Sequence, residues 1–95
     1  MEKENLQVIN NKEENRFEMN LGEKTALIQY KKNSDGALNL YHTEVPAEYE
    51  GKGVGSQLVK QTLEQIKAEG KKIVPSCPFV AVYIKRHPEY QTMVK

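Results

Sequence analysis

Two periodicities meet in this chain, and the junction is a run of alternate glycines. Up to residue 45 apolar residues recur at every second position. From residue 54 they recur about every 3.6 residues. Between the two lies "EGKGVG", Glu50 to Gly55. Period two marks a half-buried strand, and a 3.6-residue stripe marks a helix seated on a core. A chain that changes period once, across a glycine-rich turn, lays a helix against a sheet it has already made.

Four strands are expected before the change. "LQVI" (6–9) is short and follows a polar start, residues 1–5, expected to fray. "NNKEEN" (10–15) reads as a turn. "RFEMNL" (16–21) alternates, with Phe17, Met19 and Leu21 on one face. "TALIQYKK" (25–32) and "ALNLYHTEV" (37–45) flank "NSDG", whose Asp35-Gly36 pair is a strong hairpin signal. In the fourth strand strict alternation groups His42 with Leu38 and Leu40, and Asn39, Tyr41, Thr43 and Val45 on the other face.

After the glycines, Val54, Leu58, Val59, Thr62, Leu63 and Ile66 form one helical face, opposite Gln57, Lys60, Gln61, Glu64 and Lys67. Gly70 is a C-terminal stop. "KKIVPS" (71–76) reads as a short buried strand, with Pro75 where no ladder donor is needed. "FVAVYIKRH" (79–87) is a second helix, ended at His87-Pro88. The expected class is α+β: a four-stranded antiparallel meander, then helix, parallel strand and helix, in one domain over 1–95.

Composition narrows the partners. The net charge of +1 gives no broad field for nucleic acid or an anionic membrane. No apolar run approaches the roughly 18 residues of a membrane span. "MEKENLQV" lacks the apolar segment of a signal peptide, so a cytoplasmic protein is expected. The one cysteine, Cys77, makes neither an internal disulfide nor a cysteine-rich zinc site, and no metal is expected.

The glycine run fits neither common phosphate motif. The spacing of G-x-G-x-x-G fails, and Lys52 is followed by Gly53 where a Walker loop needs Ser or Thr. What remains is strand, glycine turn, helix. The amides of Gly53, Val54, Gly55 and Ser56 would be the unpaired donors of a first helical turn, converging with the positive end of its dipole, and Lys52 adds charge. A diphosphate suits such a place. A tight turn needing positive φ is the structural alternative.

"VPAEYEGKGVGSQLV" resembles the acetyl-CoA loop of the GNAT superfamily of N-acetyltransferases, whose signature is Q/R-x-x-G-x-G/A at the start of a long helix. Glu50 stands at the first position in place of Gln or Arg. "HTEVPAEYEGKGVG" and "PSCPF…HPEY" are similar to a small single-domain branch, the YjdJ-type or NATD1-like proteins. The resemblance implies a minimal acyl-CoA N-acyltransferase fold of three-layer GNAT type, lacking the early helical region that helps form the acceptor site. It implies acetyl-CoA as cosubstrate, an amine acceptor, and a monomer or weak homodimer. Coenzyme A would be held by Val45, Glu50, Gly51, Lys52, Gly53, Val54, Gly55 and Ser56.

Three residues are candidates for the chemistry. A free imidazole titrates near 6.5, which suits His42 as a base; a buried structural histidine is the alternative. Cys77 follows the short strand, where the family's parallel strands splay and admit the pantetheine arm. It would serve there as nucleophile, as proton donor, or as a wall of the slot. Tyr83 matches the position of a tyrosine acid in many GNAT enzymes, or is a packed aromatic alongside Phe79. Lys85, Arg86 and His87 read first as compensation of a helix dipole. Two functions are consistent with these residues: an N-acetyltransferase, or an acetyl-CoA-binding module with little catalysis.

Overall fold

The computed structural model describes residues 6–95; the expected fraying of residues 1–5 lies outside them. Five strands form one sheet in sequence order: β1 (Val8–Asn11), β2 (Arg16–Asn20), β3 (Thr25–Lys32), β4 (Leu38–Glu44) and β5 (Ile73–Pro75). The first three pairings are antiparallel and β4–β5 is parallel. A 15-residue helix, α1 (Val54–Ala68), joins β4 to β5, and α2 (Pro78–Arg86) follows β5. The element order is the expected one. β1 sits two residues later than "LQVI" suggests, and the chain adds a 3-10 turn (Pro88–Met93) after which Val94 bridges to Ile73.

Local chemistry explains the breaks. Gly36, at φ +92°, closes the β3–β4 turn, where Asp35 Oδ1 accepts the Ala37 amide. Gly70, at φ +71°, follows the end of α1 as expected. Pro78 opens α2, where a missing donor is harmless, and His87 before Pro88 ends it.

The predicted stripe of α1 is the buried one: Val54, Leu58, Val59, Thr62, Leu63 and Ile66 all lie inside. They meet Val8, Phe17, Met19, Ala26, Ile28, Tyr30, Leu38 and Leu40 of the sheet, with Val80, Tyr83 and Ile84 of α2 in the same core. Each large side chain so buried contributes about 1.5–3 kcal/mol relative to exposure. Polar side chains fix the helix in register as well. Gln61 Oε1 accepts the Val8 amide, and Gln61 and Gln65 donate to the carbonyls of Leu6 and Val8. These bonds cover the backbone of the edge strand, which would otherwise recruit another strand.

Among the described residues both helices lie on one face of the sheet. The α+β order that the family resemblance implies is the order observed, and these two helices make one layer on the sheet. The uncovered face carries cross-strand rows Ile9–Glu18–Leu27–Glu44 and Asn11–Arg16–Gln29–His42.

One expectation fails within β4. Gln29 pairs with His42 and Tyr30 with Leu40, so Tyr41 has no partner on β3. This β-bulge reverses the alternation that follows it. Leu38 and Leu40 point into the core, but His42 does not share their face: it pairs with outward Gln29, while Thr43 pairs with buried Ile28 and joins the inner side. Val45, likewise, packs against the core.

Candidate functional site

The N-terminus of α1 is open. Its cap is Gly53, whose φ of +82° few L-residues adopt, and it carries no side-chain capping bond. The first turn holds no acidic residue. Gln57 N–H already bonds the Gly53 carbonyl at 3.1 Å, so the amides of Val54, Gly55 and Ser56 are the helix's unpaired donors. They point along the positive end of the dipole, which favours an anion.

The three glycines have separate causes. Gly51 (φ +80°) and Gly53 need the left-handed region, and a Cβ on either would meet nothing within 4 Å. Gly55 is helical. A Cβ there would come to 2.6 Å from Phe79 Cζ, so any larger residue at Gly55 would push the ring aside. The short 3-10 turn before the loop (Ala47–Tyr49) is tied down: Tyr49 Oη donates to the Leu21 carbonyl, and Glu48 pairs with Lys24 at 2.9 Å. That bond to Lys24 holds the Glu48 carboxyl below its ordinary range.

Next to the loop the sheet opens. β4 and β5 pair only from Leu38–Ile73 to Leu40–Pro75. The Cys77 amide makes a last bond to the Leu40 carbonyl, and the chain then turns into α2 while β4 runs on, paired with β3 only. A cleft of about 340 Å³ lies along this run, lined by Thr43, Val45, Glu50, Gly51, Gly55 and Phe79. A second, of about 440 Å³, lies between Ser56 and the outer side of α2, with Pro78, Phe79, Val82, Tyr83, Arg86 and His87. Of the residues expected to hold a cofactor, Val45, Glu50, Gly51 and Gly55 thus line the first cleft and Ser56 the second. Lys52 is exposed in the turn, Gly53 caps the helix, and the Val54 side chain is buried beneath it.

The structure does not gather His42, Cys77 and Tyr83 into one cluster. The His42 side chain, 45% exposed on the uncovered face, meets Glu44 Oε2 at 2.9 Å. Cys77 is buried on the inner side, where its thiol donates to Thr43 Oγ1 at 3.3 Å. His42 and Thr43 are consecutive, so the imidazole and the thiol flank the same level of β4 from opposite faces. Tyr83 lies farther along α2, buried, stacked on His87 at 4.0 Å and beside Tyr90. Burial first, then Glu89 and Glu64, raises its phenol above the ordinary tyrosine value, so it stays protonated.

Three further residues belong to this region. Thr43, turned inward by the bulge, partners Cys77. Glu44 is the partner of His42, and its signal was present: residues two apart on a strand share a face. Phe79, read as a packed helix aromatic, is 46% exposed and lines both clefts.

Comparison with known proteins places this geometry. The chain is 32% identical over 63 residues to Protein NATD1 of Gallus gallus, covering 66% of this chain and 57% of the relative. For Protein NATD1 of Homo sapiens the figures are 32% over 63 residues, 66% and 56%, so the matched stretch is less than two thirds of either relative. For that of Danio rerio they are 27% over 89 residues, 90% and 81%. A family described as GCN5-related N-acetyl-transferase matches residues 16–93. That span takes in β2 to β5 and both helices, the open turn and the divergent strands included, and the chain therefore belongs to the GCN5-related N-acetyltransferase family.

Proposed function

We propose that this protein binds acetyl-CoA and transfers its acetyl group to an amine, working in the cytoplasm. The observation that carries the reading is the open first turn of α1, set beside a stretch of β4 whose edge away from β3 has no strand on it. The diphosphate would take the amides of Val54, Gly55 and Ser56, with Lys52 adding charge. The pantetheine arm would then run along β4 at Thr43 to Val45, in the cleft those residues line with Glu50 and Gly51. An amide-bearing chain there would bond to the free strand edge as another strand would. Glu50 does not offer the donor that Gln or Arg would supply, so the backbone carries that end of the site.

The thioester would come to the level of Thr43 and Cys77, where β4 and β5 have parted. The amine reaches it from the uncovered face. Its nitrogen attacks the acetyl carbon, its proton passes to His42, and the C–S bond breaks. The departing thiolate takes a proton from the Cys77 thiol or from water. Glu44, accepting from the imidazole, would steady His42 as it gains charge.

A second reading has its own observation. The candidate groups lie apart, and among the described residues no helix covers the face where an acceptor would sit. That arrangement suits a module which holds acetyl-CoA without efficient transfer. Calorimetry with acetyl-CoA, followed by turnover against a panel of amines on the same sample, tests both. No binding ends both readings. Binding without turnover on any amine, and without an acetyl adduct in the intact mass, selects the second.

A further inference from the structure

Phe79 is a large hydrophobic residue left 46% exposed, at the second position of α2. A solitary exposed aromatic needs no explanation. This one has a counterpart. Its ring lies so close to the first turn of α1 that a single methyl group on Gly55 would stand 2.6 Å from Cζ and 3.2 Å from Cε2. The ring therefore packs against Gly55, within the turn whose amides are unpaired. It is also the residue common to the two clefts, which otherwise share no lining side chain. Gly55 belongs to one cleft and Ser56 to the other, so the divide runs through that first turn.

We infer that Phe79 sets the ligand specificity of this groove by dividing it: a ligand anchored at the first turn of α1 with arms on both sides binds only when the ring swings off Gly55. The inference rests on the acetyl-CoA reading for the identity of the two-armed ligand. The physical argument is one of crossing. An arm in the first cleft and a nucleotide in the second are joined through the anion held at the amides of Gly55 and Ser56, and the ring stands on that line. Phe79 is half in solvent at the start of its helix, so rotation about its side-chain bonds displaces no core residue. The ring over Gly55 is then a closed state, and a two-armed ligand loses affinity by the fraction of molecules that are open. A ligand confined to one cleft loses none.

The test uses coenzyme A, pantetheine and ADP on wild type and Phe79→Ala. With the open form at about a tenth of the population, Phe79→Ala tightens coenzyme A about tenfold, ADP, whose diphosphate meets the same ring, tightens in part, and pantetheine, which stops short of the first turn, gains nothing. The chain has two phenylalanines, Phe17 and Phe79, so ring-labelled phenylalanine gives an NMR reporter with an internal reference in the core. Saturating coenzyme A should abolish the Overhauser contact between the Phe79 ring and the Gly55 α-protons and leave Phe17 unmoved. If that contact persists in the complex, or if Phe79→Ala weakens coenzyme A binding, the partition is refuted while the acetyl-CoA reading stands. If coenzyme A binds neither protein, both fall. Binding to Phe79→Ala alone supports the partition and identifies the wild type as predominantly closed.

Discussion

Gly53→Val separates the conformational role of the loop from its role as an anion cradle, because the fold contains its own control. Gly53 and Gly36 both have positive φ, +82° and +92°, and a Cβ on either enters open space. Neither substitution clashes, so the penalty is that of holding an L-residue in the left-handed region, about 1–2 kcal/mol and somewhat more for a β-branched residue. Both variants should therefore lose about 2 kcal/mol, or roughly 8–16 °C in melting temperature for a domain of this size. That leaves a folded protein if the stability is typical. Only Gly53 caps the helix whose amides are proposed to hold the diphosphate; Gly36 sits in the β3–β4 turn. The open space that a valine at Gly53 would fill is where the diphosphate would lie, and blocking two charge-assisted amide bonds at about 1.5–3 kcal/mol each weakens acetyl-CoA binding by about a hundredfold or more. Calorimetry on the folded variants at a temperature below both transitions decides it. Equal affinities in Gly53→Val and Gly36→Val, with both near wild type, would refute the cradle.

Other expectations follow from the same geometry. His42→Ala should reduce turnover about a hundredfold at neutral pH without loss of acetyl-CoA affinity, since the imidazole lies on the other face of the sheet from the loop; unchanged turnover removes it as the base. Cys77→Ser keeps the volume and the contact to Thr43, so it should spare folding. If the wild type carries an acetyl adduct in its intact mass and Cys77→Ser does not, the transfer is covalent; turnover with no adduct in either assigns the thiol to proton donation or packing. Acetyl-CoA at a hundred times its dissociation constant should add about 2.7 kcal/mol of stability, and NAD or ATP at the same concentration should add little; stabilisation by NAD or ATP alone contradicts the site. Tyr90 tests a pH limb: burial first, and then its 2.6 Å bond to Glu64, raise its phenol well above the ordinary 10.0. A raised folded value means this stability is complete below about pH 10 and is lost as pH climbs through the folded value. Urea midpoints between pH 8 and 11 should fall at the alkaline end in wild type and less so in Tyr90→Phe; identical curves would show that the phenol does not matter.

What the sequence disclosed, it disclosed through period and punctuation. The α1 stripe is legible because five apolar residues and Thr62 recur on one face, and all six are buried. Asp35-Gly36, Gly70 and His87-Pro88 each stop an element by a local rule, and each does so here. The glycine run was legible as a special turn, though its count was misleading: two residues serve φ and one serves Phe79. Less local features were hidden. The bulge at Tyr41 depends on how β3 and β4 register, which no single strand records, and it turned His42 outward and Thr43 inward. The 3-10 turn at Pro88–Met93 and the bridge from Val94 to Ile73 are likewise set by what α2 and β5 present to them.

That bulge also explains how a two-layered sheet can still offer a site with two sides. Without it, His42 would sit under the helices beside Leu40, and Thr43 would face solvent. With it, the last residues of β4 give a hydroxyl to Cys77 on the inner face and an imidazole–carboxylate pair to the outer one, at the level where β5 has turned away. The rows around that pair are mostly polar, with Ile9 and Leu27 their apolar members. Arg16 is tied to Glu18, which lowers the Glu18 carboxyl, and Asn11 donates to the same oxygen. Such a face is stable in water and needs no cover. An acceptor would meet it directly, with the cosubstrate reaching the same opening from the helical side. On the proposed reading the amine would arrive from this uncovered face, and Glu44→Gln, which removes the charge beside His42, should alter acceptor turnover while leaving acetyl-CoA affinity as it was.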